Sequence, residues 1–278
     1  MTPDLANSPK RAVTPDALAQ LIQCCLDASK IIESYAGKVA AINADKSSPV
    51  TQADLESNDL IVGVLRTLFP KIPIISEEFW KHEQFSLKEH THFWLVDPLD
   101  GTKEFLKNSG EYTINIALIE GNYPVFGIVH QPKFGTTYVG SSWDGAFRYQ
   151  NGMNPMRIAT SQPDTPNSPI ATISKDHPGA VEAFITKFFP NSPLVHAGSA
   201  MKFLRLAEGK AHLYPRMTPC MEWDTAAPQA VLEAAGGVLL DPDGARFSYR
   251  KPDALNGYFV AASSLELAEL CLSKMPRA

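Results

Sequence analysis

The chain predicts a soluble fold of α/β or α+β class, on three observations drawn from its 278 residues. Hydrophobic residues make up 44% and charged residues 20%, the balance of a globular protein with a sizeable core rather than a disordered or membrane-embedded chain. The first half holds a run of short β-like segments whose turns carry the Gly-Asn and Asp-Gly pairs that hairpins prefer. The second half alternates strand-like with helix-like segments, as βα units do.

Residues 1–13 are polar, lack the apolar core of a signal peptide and read as a disordered tail. Thr14-Pro15-Asp16 then opens a helix, with Thr14 as N-cap and Pro15 where a missing N–H costs nothing. Leu18, Leu21, Ile22, Cys25, Ala28 and Ile32 recur at helical spacing, and Gly37 is a stop signal. A second helix spans 52–68, ended by Pro70 and Pro73, and 72–75 is a buried strand running into Ser76-Glu77-Glu78. Strands follow at 93–96, 112–119, 125–131, 136–139 and 146–149. Residues 161–169 are rich in Pro, Ser and Thr, which divides the chain into halves at 14–160 and 161–278. Beyond that boundary, strands at 170–174, 194–196, 211–214, 237–240 and 258–261 alternate with helices at 179–189, 199–209, 225–235 and 264–274.

The formal net charge of -5, with no run of Lys or Arg, argues against a nucleic-acid polymer as partner. Cys24, Cys25, Cys220 and Cys271 have neither CxxC spacing nor a secreted framework, which fits reduced thiols in the cytoplasm. No apolar run approaches the roughly 20 residues of a membrane span. Oligomeric state and peripheral attachment at the inner membrane stay open.

The strongest chemical signal is Trp94-Leu95-Val96-Asp97-Pro98-Leu99-Asp100-Gly101-Thr102. An apolar strand delivers two carboxylates into a tight turn, and Pro98 and Gly101 can swing the Leu99 carbonyl inward as a third oxygen donor. Hard oxygen donors suit Mg²⁺. Taken singly, each acidic site has a plainer reading: an Asp-rich turn here, a solvated strand end at Glu77 and Glu78, an N-cap at Asp224. On that last reading the helix at 225–235 tolerates Pro228 because first-turn N–H groups lack intrahelical partners. Thr51-Gln52-Ala53-Asp54 likewise matches a loose capping box.

In combination and in this order, the motifs point further. Asp45-Lys46-Ser47 to Thr51-Gln52-Ala53-Asp54, Ser76-Glu77-Glu78, the Asp97 to Thr102 turn and Trp223-Asp224-Thr225-Ala226-Ala227 resemble the full motif set of the inositol-monophosphatase superfamily. Within it, Asp100-Gly101-Thr102-Lys103-Glu104-Phe105, Gly110-Glu111-Tyr112-Thr113, Gly198-Ser199-Ala200-Met201-Lys202-Phe203 and Leu213-Tyr214-Pro215-Arg216 are similar to the bacterial 3'(2'),5'-bisphosphate nucleotidases. Pro228, where glycine is expected, and Gln52, where a basic residue is common, depart from the pattern.

The resemblance implies a layered αβαβα sandwich and a lithium-sensitive hydrolase of sulfur metabolism. Two Mg²⁺ ions, with a third left open, would be held by Glu77, Asp97, the Leu99 carbonyl, Asp100 and Asp224. Thr102 and Asp54 would relay the proton of the attacking water, with Glu77 assisting. Gly101, Thr102, Lys103, Ser174, His177, Ser199, Lys202, Arg216 and Asp224 would contact the substrate. Ser174 and His177 read equally well as surface-loop polar residues. The substrate implied is the small molecule adenosine 3',5'-bisphosphate, cleaved to AMP and phosphate, with 3'-phosphoadenylyl sulfate as a second candidate. An inositol or sugar phosphatase is the alternative.

Overall fold

A computed structural model describes residues 12–38, 50–80, 90–175 and 179–276. Residues 1–11 of the expected tail at 1–13, the Asp45-Lys46-Ser47 motif and His177 lie outside the described residues, while Val13 at the end of that tail is buried in the core.

Two helices lead, α1 (Pro15–Tyr35) and α2 (Gln52–Leu68). Thr14 caps α1 by accepting from Ala17 N–H, and Thr51 with Asp54 forms a reciprocal capping box on α2. A seven-stranded sheet follows in simple chain order: β1 (Ile74–Ser76), β2 (His92–Asp100), β3 (Thr113–Glu120), β4 (Tyr123–Gln131), β5 (Thr136–Ser141), β6 (Gly145–Gln150) and β7 (Met153–Ile158). Only β1 and β2 run parallel; the other neighbours are antiparallel hairpins. The short α3 (Thr102–Leu106) interrupts the run after β2.

A five-stranded sheet takes its strands from β8 (Ala171–Ser174), β9 (Leu194–Ala197), β10 (Leu213–Arg216), β12 (Val238–Leu240) and β14 (Phe259–Ala262), in the order β12-β14-β10-β8-β9. Between them in sequence lie α4 (Gly179–Phe188), α5 (Met201–Ala207) and α6 (Glu222–Ala234), and α7 (Leu265–Leu272) closes the chain. A two-residue ladder joins β11 (Cys220–Met221) to β13 (Leu255–Asn256).

Alternation along the strands sorts the core into three layers. On one face of the large sheet, Trp94, Val96, Ile114, Ile116 and Leu118 pack against Leu21, Cys25, Ile61 and Leu65 of α1 and α2. On the other face, Phe93, Leu95, Ala117 and Ile119 meet Leu204 of α5, Ala227 and Val231 of α6, and Tyr214 and Phe259 of the small sheet. The far side of the small sheet, through Leu213, Val260 and Ala262, packs on Ile185 of α4 and Leu267 of α7. The order is therefore helix, sheet, helix, sheet, helix, as expected.

One strand falls in a segment left unassigned above, and one local expectation needs correcting. The segment Met153–Ile158 carries Asn154 and Pro155 and shows no apolar alternation, yet it forms the outer strand β7. A proline is tolerated there because the free edge needs no ladder donor. The helix expected from Thr225 starts at Glu222 with Met221 as N-cap, so Asp224 is its third residue and Pro228 lies inside it. Asp224 Oδ2 accepts Met221 N–H at 3.0 Å, which stabilises the earlier start.

Candidate active site

The site begins at the parallel pair β1 and β2, where Ser76 lies opposite Val96. One residue on, Glu77 N–H donates to the Val96 carbonyl at 3.1 Å, so the ladder itself sets Glu77 beside Asp97. Pairing of β2 with β3 slips between Asp97 and Asp100, where Pro98 has no N–H to offer. Within that bulge Leu99 N–H donates to Asp97 Oδ1 at 3.0 Å, and Asp97 is buried. Gly101 then takes a left-handed conformation (φ 88°) to cap α3. A Cβ there would meet Ser199 Cβ, Glu104 Oε2 and the Glu111 carbonyl at 3.1 to 3.2 Å.

Thr102 Oγ1 lies 3.4 Å from both Asp54 Oδ1 and the Leu99 carbonyl. The other Asp54 oxygen accepts the Thr51 N–H at 2.7 Å and the Thr51 hydroxyl at 2.6 Å. The capping box of α2 thus orients the carboxylate that faces Thr102. Asp224 arrives from the first turn of α6. One oxygen from each of Asp97, Asp100 and Asp224 can lie within 4.8 Å of the others.

That donor set fits hard divalent cations: it is all oxygen and all acidic. Among the described residues, none of the three carboxylates forms an ion pair with Lys, Arg or His. Burial, then the charges of Asp224, Glu78, Asp54 and Asp100, raise the pKa of Glu77 well above the carboxylate range. Burial, then Glu77, Asp100 and Asp224, do the same to Asp97 against the Leu99 N–H. Asp224 is pushed up to about 7 by burial and by Asp100, with Arg216 opposing. Burial also raises Asp54, against its bonds from Thr51 and Thr102. Such a cluster is costly without cations to offset it.

Above the carboxylates opens a cavity of about 560 Å³. Eight of the nine residues expected to touch substrate line it: Gly101, Thr102, Lys103, Ser174, Ser199, Lys202, Arg216 and Asp224. Ser199, Lys202 and Arg216 are each tied to the protein as well. Ser199 gives its hydroxyl to Asp100 Oδ2. Lys202 is 4% exposed, with Nζ 2.7 Å from the Ser199 carbonyl and over the Tyr214 ring. Arg216 donates to the Thr218 and Pro219 carbonyls and to the Tyr214 hydroxyl.

Sequence reasoning missed the residues that hold the acids in place. Thr113 Oγ1 (3.3 Å) and Ala200 N–H (2.8 Å) also donate to Asp100 Oδ2, with Asn115 Nδ2 at 3.5 Å. Glu222, two residues before Asp224 and 2% exposed, accepts from the backbone of Arg250 (3.0 Å) and Lys251 (2.9 Å). It thereby ties the start of α6 to the segment before β13. A buried-polar alternation in Thr113-Ile114-Asn115 was the one available signal.

The inositol monophosphatase family model matches residues 16–277. The chain belongs to the inositol monophosphatase family. Among relatives of this family member, 3'(2'),5'-bisphosphate nucleotidase CysQ of Escherichia coli K12 is 36% identical over 239 residues, 84% of this chain and 93% of that protein. The CysQ of Salmonella typhimurium is 37% identical over 237 residues with the same coverage. The crystal structure of CysQ from Bacteroides thetaiotaomicron superposes with a TM-score of 0.77 at 30% identity, covering 90% of this chain and 98% of that one. An inositol monophosphatase from Anabaena shares the fold at a TM-score of 0.74 and 20% identity, covering 94% and 97% of the two chains.

Proposed function

We propose that this family member is a Mg²⁺-dependent 3'(2'),5'-bisphosphate nucleotidase that hydrolyses adenosine 3',5'-bisphosphate to AMP and phosphate. The observation that carries the reading is the convergence of Asp97, Asp100 and Asp224 beneath a cavity lined by the cations Lys103, Lys202 and Arg216. The CysQ relatives supply the substrate class. Glu77, Asp97 and the Leu99 carbonyl would hold one Mg²⁺, and Asp97, Asp100 and Asp224 a second. Bound there, the cations supply charge neutralisation at the phosphoryl group and acidify the attacking water.

The chain's own residues then move the proton. Thr102 Oγ1 accepts from the water while donating its own proton toward Asp54 Oδ1. Water oxygen bonds to phosphorus, the P–O bond to the ribose breaks, and the departing ribose oxygen takes one proton from solvent to become a hydroxyl, while Asp54 returns the proton it received to solvent. Lys202 and Arg216 face the second phosphate, whose two negative charges a monophosphate lacks. The cavity takes residues from both sides of the boundary near residue 160, so the two halves of the chain would share the substrate.

Turnover of 3'-phosphoadenylyl sulfate, a place in cytoplasmic sulfur metabolism and inhibition by Li⁺ at a Mg²⁺ position belong to the same reading. Its test is phosphate release with Mg²⁺ from adenosine 3',5'-bisphosphate, 3'-phosphoadenylyl sulfate, inositol 1-phosphate and fructose 1,6-bisphosphate. The adenosine bisphosphate is expected to show the highest kcat/KM. A far higher value on inositol 1-phosphate would reject the assignment.

A further inference from the structure

Glu77 and Asp224 come to the cavity from different layers, Glu77 from the end of β1 and Asp224 from the first turn of α6. Among the described residues, neither carboxyl group forms an ion pair with Lys, Arg or His that would tie the two segments. A contact outside the carboxylate cluster holds them together. The Ser76 carbonyl accepts Phe79 N–H (3.1 Å) and Trp80 N–H (2.8 Å), so the chain turns back on itself immediately after Glu77. This turn lays the Trp80 ring on Trp223, the residue before Asp224, with centroids 5.7 Å apart and planes at 56°. Trp223 is 2% exposed and held within α6, which makes it the fixed half of the pair. Trp80 is half-buried and is the half that can come away.

We infer that Trp80 is a positioning residue for the cation site: its ring, clasped on Trp223, holds the Glu77 turn against the start of α6. The inference deepens the proposed function and rests on its reading of the carboxylates as cation ligands. The tilted geometry and centroid separation fall in the range where aromatic pairs attract beyond simple burial. A ligand set already gathered loses less freedom when the ion arrives. Trp80 touches neither ion nor substrate; it acts through Glu77.

The test uses the full chain, stripped with chelator and titrated with MgCl₂. Binding is followed by calorimetry and by intrinsic fluorescence, alongside hydrogen exchange of the 77–80 amides before metal is added. Trp80→Ala is expected to raise the half-saturating Mg²⁺ concentration about two- to tenfold, as loss of one aromatic pair implies, and to speed exchange at 77–80 selectively. Trp80→Phe, which keeps a ring, is expected to stay near the wild type in both. Trp143→Phe, whose ring stacks on Phe126 instead, is expected to leave Mg²⁺ affinity unchanged and to keep the metal-dependent fluorescence change. Equal Mg²⁺ affinity in wild type and Trp80→Ala would overturn the clasp while leaving the metal site standing. Trp80→Phe binding as weakly as Trp80→Ala would overturn it too. A wild-type chain that binds no Mg²⁺ by calorimetry would sink the metal reading and the clasp with it.

Discussion

The hydroxyl of Thr102 stands between two oxygens, Asp54 Oδ1 and the Leu99 carbonyl, each at 3.4 Å. Both are acceptors, so the proton of Thr102 points to one of them and its lone pairs are left for the water that the proposed hydrolysis requires. Thr102→Val and Asp54→Asn are each expected to lower kcat by about 10²-fold or more, the usual worth of a positioned proton acceptor. The double variant should lose no more than the worse single one, because the pair acts as a unit. Additive losses in steady-state assays would show that the residues act separately. Both residues were legible in the sequence, since each belongs to a short motif. Ser199 was not legible in its observed role: a serine at φ 46° gains meaning only when Asp100, 99 positions away, accepts its hydroxyl.

Helix α6 owes its seat to two glycines that face each other across β4 and β5, Gly127 and Gly140. A Cβ on Gly140 would lie 2.4 Å from Val231 Cα, and one on Gly127 2.5 Å from the Ala227 carbonyl. Both are backbone atoms, so α6 itself would have to move, carrying Asp224 with it. Gly140→Ala is expected to destabilise by about 1–3 kcal/mol, the range for overpacking, and to weaken Mg²⁺ binding. Gly63→Ala, in α2 with no atom near its would-be Cβ, should instead stabilise by about 0.4–1 kcal/mol. Chemical denaturation of both variants checks the contrast; a neutral Gly140→Ala would mean that α6 is not held this tightly. In β4, His130 is fully buried beside Thr137 Oγ1 (2.8 Å), and desolvation lowers its pKa to about 4. Below the ordinary pKa of 6.5 the unfolded chain takes up a proton that the folded chain refuses. His130 therefore costs stability as pH falls from 6.5 toward 4, by up to about 1.4 kcal/mol per pH unit. His130→Gln should lose that slope; parallel denaturation curves for both proteins across this pH window would refute the assignment.

Across the molecule, the cavity lies where the large sheet, α6 and the small sheet meet, and its acids come from the turn after β1, from β2, α3 and α6. Ions that bind only the folded arrangement should stabilise the whole fold. At 100 times the dissociation constant, each site adds about 2.7 kcal/mol. Chelator is therefore expected to lower Tm and Mg²⁺ to restore it, read by calorimetric melting. A Tm indifferent to both would show that the carboxylates do not gather around cations. No described helix is long and apolar enough to cross a membrane.

The starts of α1 and α2, the hairpin turns and the four acidic motifs were present in the sequence alone, because capping, periodicity and turn chemistry depend on residues within a few positions of one another. The β7 edge and the true start of α6 escaped it, since an exposed edge strand needs no alternation and Met221 is an unexpected cap. Only the tertiary structure decided how the acids converge: Asp224 reaches Asp97 and Asp100 because α6 sinks into a glycine seat formed by strands a hundred residues earlier. No local pattern encodes that approach, which is set by where two backbones can touch.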